Sequence, residues 1–311
     1  MCAADFATRA RRLLGDRLQR QVPLAPLTTL KVGGAAEWFA DVEQADELAA
    51  LLAISAETRT AVTIFGGGSN VVVSDAGVRG LVVRLRLTGV TQPATGLVRG
   101  EAGLTINGLV RWTIGRGLAG LERWAGTPGT VGGAIHGNAH WSGLNIGDLV
   151  ARVRLVSGAG VVADVPATAM EFAYDTSRIQ RTREVVVWAE FRVEAGDPEP
   201  LRARARESLA YRKRTQPLAQ PSAGCMFQNP DPARDRLPAG MPPSAGALID
   251  RAGLKGRRQG GARISATHAN FVVNTGAATA RDVRALVEAA RTAVHDQFGV
   301  VLRDEVVYLG F

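Results

Sequence analysis

Two runs of glycine limit what this chain can fold into more than any other feature. The first, "GGGSN" at Gly66 to Asn70, directly follows the apolar run "AVTIF"; the second, "GTPGTVGGAIHGNAHWSG", covers residues 126–143. Successive residues without Cβ let backbone N–H groups converge on one anion. A loop of this kind at the end of a strand suits a pyrophosphate, and Ser69 and Asn70 add side-chain donors. The first run is neither G-x-G-x-x-G nor the phosphate loop ending in G-K-[ST], so the common dinucleotide and nucleoside-triphosphatase fingerprints are absent. Taken alone, it also reads as a plain turn.

Around the glycines the periodicities alternate. A basic amphipathic helix is expected near residues 6–20, and a strand with a glycine turn in "TTLKVGGAAEWFADV". Asp41 is a candidate cap for the helix "VEQADELAALLAIS". "AVTIF" reads as a buried strand, and "VVVSD", a turn at Gly77 and the strand "GLVVRL" complete a βαβ-like opening. A helix begins at Thr105. "ARVRLVSGAG" with "VVADVP" predicts a hairpin, and "EVVVWAEFRVE" a long strand with alternating faces. "AGDPEP" at 195–200 is the best linker. Beyond it come a helix near 201–213, the turn "SAGCMFQNP", a Pro/Gly-rich loop over 230–244, a short helix "GALIDRAGL" and a strand "HANFVVN". A helix opened by a Thr279/Asp282 capping box closes at Gly299, and a final strand, "VVLRDEVVYLGF", carries Glu305.

The 311 residues, 46% hydrophobic and 21% charged, have the balance of a globular chain rather than a disordered one. A net charge of +8 invites a nucleic-acid reading. The lysines are only Lys31, Lys213 and Lys255, the arginines are scattered, and "YRKR" at 211–214 is the one dense run, so an anionic small molecule is the better partner. Cys2 and Cys225 provide no metal spacing and no disulfide framework. No metal is expected, Cys2 belongs to a frayed end, and Cys225 is a reduced thiol in a stiff turn. With no secretory or membrane-spanning pattern, the expected location is the cytoplasm and no membrane partner is expected.

Seven stretches, in order, carry a resemblance: "TTLKVGG", "FGGGSNVVVSDAGVRGLVV", "GTPGTVGGAIHGNA", "PSAGCMFQNP", "GALIDRAGLKGRRQGGARIS", "HANFVVN" and "FGVVLRDEVVYLG". From about Thr28 to Phe311 the chain resembles the UDP-N-acetylenolpyruvoylglucosamine reductases, flavoenzymes of bacterial cell-wall precursor synthesis, and in particular the shorter class without a tyrosine-bearing loop. The resemblance implies an α+β fold: an N-terminal helical segment (1–28), a two-part FAD-binding domain of the vanillyl-alcohol-oxidase (PCMH) type (29–197, subdomains about 29–80 and 81–197), and a C-terminal α/β substrate domain (198–311). It implies that NADPH reduces FAD and that the hydride then passes to the enolpyruvyl ether of the UDP-sugar, giving UDP-N-acetylmuramate; the alternatives are another FAD-dependent oxidoreductase of the same fold acting on a hydroxy acid or sugar, and a flavin-binding paralogue without turnover. A monomer is expected. Gly66, Gly67, Gly68, Ser69 and Asn70 would hold the FAD pyrophosphate, and Thr127, Gly129, Gly132 and Gly133 would lie along the flavin. The first loop has no histidine for a covalent link, so FAD is expected to be non-covalent, and His136 and His140 read as packing or hydrogen-bonding residues.

Catalytic residues carried over by the resemblance are Cys225, where relatives usually have the proton-donating serine, and Glu305, which would steady the enolate. Each has a bland alternative, a packed thiol and a solvated edge glutamate. Tyr174, Arg212, Lys213, Asn229, His268 and Asn270 are the substrate-binding candidates. Three departures stand out. Tyr174 is followed by Asp175 where relatives carry an arginine for the substrate carboxylate, and Arg178 is the candidate substitute. Thr215 replaces a common lysine, leaving Arg212, Lys213 or Arg214 for the diphosphate. Arg303 stands where a glutamate is usual.

Overall fold

The computed structural model describes residues 3–141 and 143–311; Cys2 lies outside them. The chain divides into two compact units. One comprises the N-terminal segment through Val22, Ala36–Gly67 and Arg79–Ala210; the other comprises Pro23–Ala35, Gly68–Val78 and Tyr211–Phe311. The chain therefore crosses between units within the first glycine run, at Gly67/Gly68, and again inside the helix Pro198–Thr215.

In the first unit, strands Leu18–Pro23, Ala35–Val42, Val78–Leu85 and Val62–Phe65 lie in that order in one sheet, the last two parallel. Helix Ala45–Thr58 buries Leu48, Leu51 and Leu52, and Arg59 ends it in the left-handed region, φ 56°. Each such leucine contributes about 1.5–3 kcal/mol by leaving water. Three expectations change here. The N-terminal helix spans Ala3–Leu14 and stops at Gly15, whose φ of 58° cannot continue a helix. Asp41 does not cap: it sits in strand Ala35–Val42 and pairs with Arg84 through 2.6 and 2.7 Å bonds, while Gln44 takes the cap position. Of strand Val62–Phe65 only Phe65 is buried, because this strand forms the edge of the sheet.

A second sheet orders Val162–Pro166, Val150–Val156, Val185–Arg192, Leu97–Glu101 and Val90–Ala94, with antiparallel neighbours and the expected hairpin at one edge. Its central strand is buried from Val185 to Phe191 rather than on alternate residues. The chemistry still alternates. Helix Val131–His136 packs on the strand, while Trp188 is roofed by the guanidinium groups of Arg99, Arg152 and Arg154 at 4.1–5.7 Å. Beside it Glu190, 1% exposed, accepts from Arg99 and Arg152. Burial pushes the Glu190 carboxyl up, and the two arginines outweigh it, leaving it below the usual carboxylate range.

The second unit holds an antiparallel sheet ordered Ser222–Cys225, Phe271–Asn274, Ala262–Ile264 and Arg258–Gln259, against which helix Ala280–Phe298 packs. The Thr279/Asp282 capping box and a left-handed Gly299 bound that helix as the sequence predicts. Asp75 accepts from the N–H groups of Ala280 and Arg281 (2.8 and 3.0 Å), satisfying two donors that helix geometry leaves open. Val71–Val73 pairs in parallel with Val307–Leu309. The closing strand is thus three residues long, and Glu305 stands two residues before it. No helix among the described residues is long and apolar enough to cross a membrane.

Candidate active site

The first glycine loop leaves strand Val62–Phe65 and turns at Gly68, φ 62°. Among the described residues, none of the backbone N–H groups from Gly66 to Asn70 donates to a protein acceptor, while the Gly68 carbonyl is taken by Thr29 through both N–H (2.9 Å) and Oγ1 (3.2 Å). A row of open donors on residues without side chains is the chemistry an anionic pyrophosphate requires. A Cβ on Gly67 would lie 2.8 Å from Gly129 Cα, and one on Gly66 would lie 3.0 Å from Thr130 Oγ1, so the first run approaches the second this closely only because Gly66 and Gly67 lack side chains.

The second loop is held from behind. Asn107 receives the N–H of Gly126 (2.7 Å) and donates to the Thr127 carbonyl (3.2 Å). Gly132 lies against Ala102, where a Cβ would find 3.1 Å, and Thr130 caps helix Val131–His136 through the N–H of Gly133. Neither Asn107 nor Thr130 was among the sequence candidates, although Thr before a V-G-G helix start is a readable cap signal. The turn carrying Tyr174 is fastened to the end of this helix. Ser177 Oγ and Gln180 Nε2 donate to the His136 carbonyl (2.8 and 3.0 Å), and Asn138 Nδ2 donates to the Ala173 carbonyl (2.8 Å).

Within that turn Asp175 is left-handed, φ 55°, and pairs with His140, Nδ1 to Oδ1 2.9 Å. The His140 ring packs on Tyr174 with centroids 4.9 Å apart. Arg178 is committed elsewhere: Nε and Nη2 donate to Glu184 (2.9 and 2.8 Å) and Nη1 to the Ala169 carbonyl. A guanidinium neutralised by a bidentate carboxylate is a poor receptor for a second one, so this geometry does not supply the cation expected from Arg178. Arg178→Ala is expected to lower stability by about 1 kcal/mol, the value of a partly exposed pair, read as a shifted urea midpoint. An unmoved midpoint would return Arg178 to the ligand-binding candidates.

In the second unit, segments far apart in sequence meet. The carbonyl of Met226, next to Cys225, accepts from the N–H of Glu305 (3.0 Å), and Phe227 bridges to Asp304. Asn70 Nδ2 donates to the Glu305 carbonyl (3.0 Å), and its own carbonyl receives the N–H of Val307 (3.0 Å). Cys225 and Glu305, both half-buried, are thereby fixed beside the end of the first glycine loop. Arg212, 5% exposed, is pushed down to about 10 by burial, with Cys225 acting in the opposite direction, so it remains a cation at neutral pH. Lys213 is exposed.

Asn270 and His268 brace this region. Asn270, 2% exposed, spans both backbone polar groups of Phe227 (3.0 and 2.7 Å), which makes it a support of the Cys225 turn. His268 Nδ1 accepts from the Asn270 N–H (3.3 Å), leaving the hydrogen of a neutral ring on Nε2; desolvation and then the charge of Lys255 push its pKa down. Asn229 Oδ1 receives the Ala245 N–H (3.1 Å). Arg303 is tied to Asp235 by two 2.9 Å bonds, closing the 230–244 loop onto the segment before Glu305. No group of three or more His, Cys, Asp or Glu among the described residues could hold a metal ion.

Residues 216–309 match the C-terminal domain of UDP-N-acetylenolpyruvoylglucosamine reductase, and residues 36–165 match an FAD binding domain. The reductase of that name from Synechococcus sp. (strain WH7803) is 40% identical over 300 residues, covering 94% of each chain; that from Geobacter metallireducens is 39% identical over 309 residues, covering 98% of each. The crystal structure of UDP-N-acetylenolpyruvylglucosamine reductase from Thermus caldophilus superimposes with a TM-score of 0.78 at 34% identity, over 94% of this chain and 99% of that one. The open donors, the paired glycine loops and the Cys225/Glu305 arrangement are thus features of a chain that belongs to the UDP-N-acetylenolpyruvoylglucosamine reductase family.

Proposed function

We propose that this protein reduces the enolpyruvyl group of UDP-N-acetylglucosamine enolpyruvate to UDP-N-acetylmuramate with NADPH, using FAD, in peptidoglycan precursor synthesis. The observation that carries the reading is the meeting of Cys225, Glu305 and Asn70 through the Met226 and Glu305 backbone. It brings a proton donor and a carboxyl beside a loop suited to a pyrophosphate. The FAD-binding part lies within residues 29–197 and the substrate part within 198–311, a division supported by the two family matches, although Gly68–Val78 packs with the C-terminal unit.

Gly66–Asn70 hold the pyrophosphate through their open N–H groups, and Thr127, Gly129, Gly132 and Gly133 line the flavin. When bound, FAD supplies the carrier that takes a hydride from NADPH and gives it to the substrate double bond. Cys225 delivers the proton that completes the reduction, and the positive charge of Arg212 offsets the thiolate left behind. Glu305 steadies the enolate. Tyr174, Lys213, Asn229 and His268 are the candidates to contact the UDP-sugar. The enzyme acts as a monomer, and in the cytoplasm, where Cys225 stays reduced.

The test of function is the product: incubation with NADPH and the enolpyruvyl sugar should yield a UDP-sugar heavier by one hydride and one proton, and no product would refute the assignment. Because no histidine stands in the first loop, acid denaturation is expected to release all yellow colour into the supernatant. Colour retained on the precipitate would show a covalent link.

A further inference from the structure

The second glycine loop is fixed one peptide plane at a time. A trans peptide is flat, so a bond at its N–H or its carbonyl sets the direction of both. The plane before Gly126 is set by the Gly126 N–H on Asn107 Oδ1 (2.7 Å), and the plane after it by the Thr127 N–H on the Trp124 carbonyl (2.9 Å). The plane between Thr127 and Pro128 is set by the Thr127 carbonyl, which accepts from Asn107 Nδ2 (3.2 Å). Further on, the Gly129 carbonyl receives the Ile106 N–H (3.1 Å), which turns the Thr130 N–H of the same plane away from Ile106. Between these holds, the plane joining Pro128 to Gly129 has no protein hydrogen bond at either end among the described residues. Its N–H belongs to Gly129, whose φ of 100° lies in the region that favours glycine, where a missing Cβ leaves the backbone room to swing. Gly129 is also where the first loop comes close, at the 2.8 Å that a Cβ on Gly67 would find.

We propose that Asn107 is a positioning residue for the flavin: its side-chain amide fixes the loop ahead of Pro128 and thereby sets the open Gly129 N–H as a donor to bound FAD. The inference rests on the reading above in which Thr127, Gly129, Gly132 and Gly133 line the flavin, and it names the residue that sets them. Asn107 lies in the first turn of helix Ile106–Gly115, next to Ile106, so one rigid element holds the loop on both sides of the unbonded plane. Thr105 caps that helix through the Gly108 N–H (3.0 Å), and the Asn107 amide is spent on the loop instead. The task needs an acceptor for the Gly126 N–H and a donor for the Thr127 carbonyl on one short side chain. An uncharged amide offers both, leucine of similar size offers neither, and an ionised aspartate offers acceptors only.

The test is made on the FAD-loaded protein. Asn107→Leu removes both bonds and is expected to raise the FAD dissociation constant, read from flavin fluorescence on dilution, by about tenfold or more, the value of two ordinary hydrogen bonds. The visible band and the midpoint potential of the flavin still bound should shift, because hydrogen bonds to the cofactor tune its electronics. Asn107→Asp is the conservative rescue. Ionised, it repels the Thr127 carbonyl; protonated, it accepts from Gly126 and donates to Thr127, so FAD retention should return toward that of the unaltered protein at the same pH as the pH falls through the carboxyl's titration. An unchanged dissociation constant in Asn107→Leu overturns the inference. Weaker binding with an unmoved band and potential makes Asn107 a brace of the fold and overturns it as well. Should Asn107→Leu fail to fold, the Asp variant decides: recovery at low pH supports the inference, and indifference to pH refutes it. Absence of FAD from the unaltered protein would instead refute the flavin reading on which the inference rests.

Discussion

Cys225→Ala is expected to slow reduction of the enolpyruvyl sugar by roughly 10² to 10⁴-fold, the range for loss of a positioned acid, with flavin reduction by NADPH spared. Hydride addition to one carbon leaves an enolate whose neighbouring carbon needs a proton. A thiol, whose reference pKa is about 8.5, holds that proton near neutrality and gives it up more readily than a hydroxyl. The turn that carries it is stiff: Met226 is bonded through both its N–H and its carbonyl, and Asn270 clamps Phe227. Cys225→Ser should retain measurable turnover, because it keeps a donor in the same place. The thiol brings a liability as well: an alkylating reagent should inactivate the enzyme, bound substrate should protect it, and the serine variant should resist. Native turnover in Cys225→Ala would make the thiol a packing residue.

Glu305→Gln is expected to be as damaging to the same step, by about 10² to 10⁴-fold, again with NADPH oxidation by the flavin spared. The substitution keeps the shape and the backbone bonds to Met226 and Asn70, so the fold should be undisturbed. What it removes is the acid–base and charge capacity of the carboxyl. Stopped-flow reoxidation of the reduced enzyme by substrate measures it directly, and a loss of less than about threefold, far below that range, would return Glu305 to the role of a solvated residue ahead of a strand.

What the sequence made legible was local. Thr105 and Thr279 cap helices, Gly299 ends one, and the hairpin of Val150–Val156 with Val162–Pro166 follows its alternation. These features depend on neighbours within a turn or two. The misreadings arose where a partner outside the residue's own element decides. Asp41 reads as a cap until Arg84, 43 residues on, claims it from the adjoining strand. Arg178 reads as a stand-in for a missing arginine until Glu184, six residues on, neutralises it. At the site, sequence pointed to Asn70, Cys225 and Glu305 separately. That Asn70 holds the Glu305 carbonyl across 235 residues is a property of the parallel pairing of Val71–Val73 with Val307–Leu309. The Asp175–His140 pair was equally hidden: each residue stood out separately, and only the pinning of one turn onto the second glycine loop unites them.

The most direct test of the central claim is anaerobic mixing of the FAD-loaded enzyme first with NADPH and then with the enolpyruvyl UDP-sugar, following the oxidised-flavin band. The band should bleach in the first step, persist bleached in buffer alone, and recover in the second step with one UDP-N-acetylmuramate formed per flavin. Failure to bleach with NADPH, or a bleached band that the enolpyruvyl sugar leaves unchanged, would contradict the reductase account.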